Sequence, residues 1–387
     1  MFSKPSNPAG ALMLLCCVAM PTAQAAGWQE FAIAPSGDDQ ENPDIHGKVI
    51  VWQEFVSEFG DYDICVADID DLVNPKVILL GDANDQTDPA VYGRRVVWQS
   101  YIAWQGSADW DIWMADVTDF EQPSMYPVVE IPGNDEEKPA IHGNTVVWED
   151  TAGGDYNVFG ADITDPRYPV EFAIAAFQGD QRSPSVYRNI VTWQDNYFGD
   201  WDIVAADIWR RDKPGEFPVA VLDKSQQGGR AGDGVVVWQD DFFGDWDVYA
   251  GRIVDHNEIR EIALAANPAN QTEPDVDGHL VVWQDDRSGN WDIWAGNLIT
   301  GLTFRITKDR HDQINPAISG NIVVWQDNRD GPWTIYGVVL DGPEVARCTS
   351  NPPGDIDGDC AVTFSDFTLL ASAWLDGHLD PPRARKL

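Results

Sequence analysis

The chain has 387 residues, 43% of them hydrophobic, which is ample material for a large core. Sixty-four acidic side chains face 25 basic ones, a formal net charge of −39. That balance excludes a nucleic-acid partner, whose phosphates need clustered Lys and Arg, and disfavours docking on an anionic membrane surface. It fits a self-repelling surface in a cation-rich medium.

Residues 1–25 read as a secretory signal. Lys4 supplies the positive start, Ala11 to Met20 an apolar core, and Ala23-Gln24-Ala25 a cleavage site. The apolar core is too short to span a bilayer. Cys16 and Cys17 lie inside it without the small-residue setting of a lipid anchor. No other run is long and apolar enough to cross a membrane, so the expectation is an exported chain, secreted, at the cell surface or in the periplasm. Three cysteines then remain. Cys348 and Cys360 flank a tight acidic loop and are expected to pair, since export permits a disulfide. Cys65 is expected as a buried apolar residue.

From Gly27 to Asp341 one phrase recurs seven times. Its copies centre on Trp52, Trp98, Trp148, Trp193, Trp238, Trp283 and Trp325, at steps of 46, 50, 45, 45, 45 and 42 residues. Each copy opens with a Pro-x-hydrophobic-x-Gly element such as Pro89-Ala90-Val91-Tyr92-Gly93, read as a short first strand with Pro at its start. The fourth copy, Pro184-Ser185-Val186-Tyr187-Arg188, lacks the Gly, and the fifth, Arg230-Ala231-Gly232-Asp233-Gly234, is degenerate. A Val-Val-Trp-Gln strand follows, apolar on both faces and so covered on both sides. Next come an acidic Gly-bearing turn, a Trp-Asp-Ile-Trp-like third strand and a fourth strand such as Val170 to Ala175. A period in the forties built only of strands and turns predicts an all-β fold, a seven-bladed β-propeller with the seven Trp residues as inter-blade core. Phe31-Ala32-Ile33-Ala34 matches the fourth strands but precedes the first repeat, while the last repeat lacks one. The N-terminal strand is therefore expected to complete blade seven and close the ring.

The motif Pro-x-Ile-x-Gly, Val-Val-Trp-Gln-Asp, Gly-x-x-Asp-Ile-Trp resembles the TolB-type propeller family, over roughly Phe31 to Leu340. The resemblance implies the fold and little about function, because such propellers include binding modules, accessory proteins and some enzymes.

Residues 342–353 read as a linker ending in Pro352-Pro353, and 379–387 as a tail. Between them, 354–378 hold a small calcium loop and helix. Asp355, Asp357, Asp359 and Asp366 stand at loop positions 1, 3, 5 and 12 of an EF-hand-like calcium site, with the Ala361 carbonyl at position 7 and Thr363 at position 9. Phe367, Leu370, Ala371 and Trp374 then line one helix face. Asp at position 12, Gly at position 4 and no preceding helix resemble a type I dockerin repeat. Two departures are that only one repeat is present and that Cys360 replaces the usual Gly. The resemblance implies calcium as cofactor and a cohesin-like or cell-surface partner.

For chemistry, none of the six His residues has a zinc spacing, and no G-x-S-x-G elbow or phosphate loop occurs. His46 and His142 occupy equivalent repeat positions, expected near the central channel. Carboxylate pairs are too frequent to mark a glycosidase. The second-to-third-strand connections of blades one and two are longer and carry Phe55, Tyr101, Trp104 and Trp110, a candidate platform for a polysaccharide or peptide. The reading is a secreted binding or scaffold propeller tethered by its tail. Alternatives are a polysaccharide hydrolase or lyase with a dockerin-like tail, and a structural surface-layer component.

Overall fold

The computed structural model describes residues 28–345 apart from 73, 82, 83, 105, 106 and 343. These residues form 28 strands in seven four-stranded antiparallel sheets. The protein is a seven-bladed β-propeller. Blade 1 comprises β2 (Gln40–His46), β3 (Val49–Val56), β4 (Asp61–Asp68) and β5 (Lys76–Leu80), ordered from the bore outward. Blades 2 to 6 repeat this pattern. Blade 7 has β26 (Gln313–Ser319), β27 (Ile322–Asp327) and β28 (Thr334–Val339) from the end of the propeller, and β1 (Glu30–Ala32) from its start.

Closure is therefore by a strand from the other end of the chain. Phe31 pairs with Gly337 across the β1–β28 ladder, and Ile33, 1% exposed, sits in the core between blades 7 and 1. A Cβ on Gly337 would meet the Phe31 ring at 3.2 Å, so the bare residue 337 gives the closing strand's Phe31 room to lie against β28.

Every blade interface holds one of the seven repeated tryptophans. Trp52 packs with Val324 and Ile335 of blade 7, Trp98 with Val51 and Ile64 of blade 1, and Trp325 with Val282 and Ile293 of blade 6. Trp148, Trp193, Trp238 and Trp283 occupy the remaining four interfaces, and all seven are 3% exposed or less. Strands such as Ile322–Asp327 are buried along their whole length. That explains the two-sided apolar pattern, because each blade is sandwiched between neighbours.

The innermost strands differ from expectation. They run seven residues in most blades and begin at a fully buried polar residue, Gln40, Gln86, Glu136, Gln181, Gln226, Gln271 or Gln313. Pro thus stands mid-strand. The residue before it adopts positive φ, from 50° at Asn42 to 53° at Lys138, and the ladder shifts register there. Pro is tolerated because the bulge breaks the ladder and because the strand is an edge, facing the bore.

The bulge has a use. The N–H of each positive-φ residue donates to the side chain that follows the key Trp in the preceding blade. Asp88 N meets Gln53 Oε1 at 2.9 Å, Lys138 N meets Gln99 at 2.8 Å, and Ser183 N meets Glu149 at 2.8 Å. Gly228, Glu273 and Asn315 do the same with Gln194, Gln239 and Gln284. The last bond closes the circle, Asn42 N to Gln326 at 3.0 Å. The repeated Gln is an inter-blade staple, needed because an unpaired buried N–H costs about 1–3 kcal/mol.

Two faces result. The loop face carries the connections from second to third strands and from one blade to the next. The turn face carries the tight turns after the first strands. Both ends of the described chain lie on the turn face. Trp28 donates to Asp341 at 2.9 Å, Asn297 Nδ2 to the Glu344 carbonyl at 3.0 Å, and His279 Nε2 bonds the Val345 carbonyl at 3.0 Å. Residues past Leu340 thus turn back under blade 6.

Candidate functional site

The bore encloses a cavity of about 650 Å³, lined by the innermost strand of every blade. Side chains point into it in three tiers. Nearest the loop face are the bulge residues, among them Asn42, Asp88, Lys138 and Glu273, with Lys138 paired to Asp88 at 2.8 Å. The middle tier reads Asp44, Ala90, Ala140, Ser185, Arg230, Asp275 and Ala317 around the ring. The tier nearest the turn face reads His46, Tyr92, His142, Tyr187, Gly232, Asp277 and Ser319.

The third tier contains an aromatic arc over four blades. Ring centroids are 4.2 Å apart for His46–Tyr92, 4.4 Å for Tyr92–His142 and 4.6 Å for His142–Tyr187. Gly93 N donates to His46 Nδ1 at 3.0 Å, which fixes that ring. Burial, reinforced by His46 and Arg188, lowers His142 to about 4, so it is neutral at pH 7. Both histidines line the channel, as expected from their repeat position.

The middle tier is charged. Asp44 accepts from Val91 N at 2.7 Å and Ile45 N at 2.8 Å, and Asp275 accepts from Ile318 N at 2.8 Å. Both are polar clamps between blades, with part of their surface left on the bore. Burial, then the Asp44 charge, raises Asp275 to about 7. Burial also raises Asp44. Arg230 shares the tier and attracts both carboxylates, yet no described carboxylate oxygen lies within 4.0 Å of its guanidinium.

On the loop face, the acidic turns cap themselves as their composition requires. Asp195 accepts from Tyr197 N at 2.8 Å, Asp240 from Phe242 N at 2.7 Å, Asp285 from Arg287 N at 3.0 Å and Asp327 from Arg329 N at 2.9 Å. What these turns display differs between blades. In blades 6 and 7 the capped residue is an Arg folded back over the third strand, Arg287 at 4.1 Å from the Trp294 ring and Arg329 at 4.4 Å from Tyr336. In blades 4 and 5 the same position is aromatic and faces water. Tyr197 and Phe198 are 38% and 37% exposed, Phe242 and Phe243 48% and 59%, and each pair is T-shaped, at 5.0 and 5.1 Å. Phe177 and Leu222, on the adjoining inter-blade loops, are also exposed.

The platform expected on blades 1 and 2 is laid out differently. The blade 2 connection is mostly strand, because β7 (Arg95–Trp104) and β8 (Ser107–Asp116) extend into a long hairpin. Tyr101 lies opposite Trp110 with rings 5.3 Å apart, and Phe55 packs edge-on to Tyr62 at 5.3 Å. Trp104 ends β7, and its side chain lies outside the described part. So do the calcium loop (Asp355, Asp357, Asp359, Ala361, Thr363, Asp366), Cys348 and Cys360, and the signal segment 1–25. Cys65 is buried and free. Among the described residues no group of three or more His, Cys, Asp or Glu is placed to hold a metal ion, and no helix is long and apolar enough to cross a membrane. Sequence reasoning missed the Tyr197-Phe198 and Phe242-Phe243 pairs, which it read only as turn residues. Their signal was the alternation with Arg287 and Arg329 at the same turn position.

Comparison with solved structures agrees on the fold. The β-propeller domain of the trilobed protease from Pyrococcus furiosus superposes with a TM-score of 0.57 at 13% identity, over 82% of this chain and 97% of that one. A puromycin-hydrolysing peptidase of Mycobacterium tuberculosis gives 0.60 at 12% identity, over 80% of this chain but only 52% of the peptidase. TolB from Acinetobacter baumannii gives 0.46 at 12% identity, over 66% and 62%. The protease propeller is described as having an open velcro topology, whereas here β1 closes blade 7. No protein-family model and no curated protein matches the sequence.

Proposed function

We propose that this protein is an exported, two-faced binding propeller, anchored by its tail and gripping a glycan with the loop face of blades 4 and 5. The observation that carries the reading is the turn position at which Arg287 and Arg329 fold inward while Tyr197 and Phe242 turn outward with a second ring beside each. Adjacent exposed rings form an apolar patch on an otherwise acidic molecule, and such patches mark interaction sites. Sugar rings stack their C–H faces on aromatic rings, and the neighbouring Asp200, Asp241 and Asp245 are suited to accept from hydroxyls.

The chain leaves the described propeller on the opposite face, beneath blade 6. A calcium-loaded loop at Asp355 to Asp366 would therefore attach the protein by one face and present the other. Retention of full-length protein on immobilised polysaccharides tests both halves. Phe242→Ala/Phe243→Ala should lose at least tenfold in affinity with an unchanged melting midpoint. Asp355→Ala should bind glycan normally but lose calcium affinity in a titration. Equal glycan retention by the aromatic variant refutes the rim, and equal calcium affinity refutes the anchor.

A further inference from the structure

The middle tier of the bore asks for an occupant that the rim does not explain. The Arg230 backbone belongs to the blade 5 ladder, opposite Val237, but among the described residues its guanidinium has no hydrogen-bond partner and no ion pair within 4.0 Å, although it stands in the tier of Asp44 and Asp275. Its neighbours explain why it is available. Asp44 and Asp275 are already turned toward backbone N–H groups of Val91 and Ile318. Asp88 is taken by Lys138, and Asp233 by Arg188 at 2.9 Å. Asp277 accepts from Gly320 N at 2.6 Å, and Ser185 Oγ from Ala231 N at 3.2 Å. Ala90, Ala140 and Ala317 leave the rest of the tier open.

A simple anion would meet the guanidinium but also two carboxylates. A simple cation would meet the carboxylates but also the guanidinium. A molecule carrying both charges a few bonds apart satisfies all three groups. The cavity, about 650 Å³, lies within the ~300–1,000 Å³ usual for small-molecule sites. The next tier toward the turn face carries the ring arc of His46, Tyr92, His142 and Tyr187 over blades 1 to 4, whose faces suit an apolar or aromatic substituent.

We propose that the bore binds a free α-amino acid with an apolar side chain: Arg230 holds its carboxylate, Asp275 and Asp44 hold its ammonium, and the His–Tyr arc packs on its side chain. Guanidinium and carboxylate geometries match in a bidentate pair, which a compact Lys would not reproduce. This inference stands apart from the glycan reading, since it uses no residue of the loop-face rim.

Isothermal titration of the full chain at pH 8, where Asp275 is mostly ionised, tests it with three probes: L-phenylalanine, 3-phenylpropionate (no ammonium) and phenethylamine (no carboxylate). Phenylalanine should bind at one site per chain, each single-charge analogue at least tenfold more weakly. Arg230→Gln should weaken phenylalanine and phenylpropionate but not phenethylamine. Asp275→Asn should weaken phenylalanine and phenethylamine but not phenylpropionate. Arg230→Gln removes no protein hydrogen bond, so its melting midpoint should stay near wild type; if it misfolds, the analogue series on wild type still decides. Phe242→Ala/Phe243→Ala should bind phenylalanine unchanged, which separates failure of this site from failure of the rim. No saturable heat from phenylalanine, or equal affinity for either analogue, overturns the proposal.

Discussion

The buried acid pair of blade 5 gives the sharpest energetic test. Asp240 and Asp247 are directly opposed across the β19 (Val235–Asp240) and β20 (Asp247–Asp255) ladder, both 3% exposed. Burial, then the charges of Asp245 and Asp240, raises Asp247 from 3.8 to about 7. A carboxyl with a raised folded-state pKa contributes stability that is present below its unfolded value and lost as pH climbs through the folded one. At about 1.4 kcal/mol per unit, the penalty of Asp247 reaches a ceiling of about 4 kcal/mol by pH 8 and falls below about 1 kcal/mol at pH 4. Asp247→Asn removes it. The substitution also has an internal precedent, because blade 3 places Asn157 opposite Asp150. There Asn157 Nδ2 donates to the Ala152 carbonyl at 2.9 Å and the Asp155 carbonyl at 3.1 Å, and Phe242 and Asp245 hold the matching positions in blade 5. The variant should be about 1–3 kcal/mol more stable than wild type at pH 8, after local relaxation takes part of the ceiling, and should converge with it at pH 4. Urea unfolding followed by tryptophan fluorescence measures both. A variant no more stable at pH 8, or one equally improved at both pH values, would refute the reasoning.

Two further predictions address how the ring is held. Ile33→Ala empties a fully buried site on the closing segment and should cost about 2–5 kcal/mol; deleting residues 28–34 should lower the melting midpoint sharply, and an unchanged midpoint in calorimetry would mean that β1 does not close blade 7. Gln284→Ala leaves the Asn315 N–H without its acceptor and should cost about 1–3 kcal/mol. Gln284→Glu should recover most of that, since Glu149 already serves as the staple between blades 3 and 4; equal losses for Ala and Glu would show that the side-chain oxygen is not the staple.

The ring was legible in the sequence because its physics is periodic. Seven interfaces need seven large apolar wedges, and Trp at steps in the forties supplies them. The N-terminal closure was legible too, as a fourth strand missing at one end and spare at the other. The polar skeleton was not. The Gln after each Trp looked like a strand terminus until the register placed it 2.8–3.3 Å from a positive-φ N–H on the next blade. Sequence spacing along one blade carries no information about which groups meet across two. For the same reason Pro was assigned to the strand start: the buried Gln that begins the strand is polar, and only its burial between blades reveals it as part of the sheet.

The candidate sites follow a different logic from the fold. Positions that do the same work in every blade, such as the Trp wedges and Gln staples, keep their residue type, with Glu149 as the one conservative exchange. Positions that face the bore or the loop face are released from that work, and there the blades diverge. The middle tier holds Ala, Ser, Asp or Arg at one structural position, and the capped turn position holds Arg in two blades and an aromatic in two others. Both contrasts stand at fixed offsets from the repeated Trp, eight residues before it in the middle tier and four after it in the turn, but only the strands show that the first position faces the bore and the second the loop face. The fifth repeat, degenerate as a motif, then stands out for a physical reason: Gly229 and Gly232 flank Arg230 where other blades carry Pro and a larger third-tier residue, so the one bore guanidinium of the middle tier is set where two neighbouring positions are smallest. A departure that weakens the repeat as a signal is thus the place where the ring gains its middle-tier guanidinium.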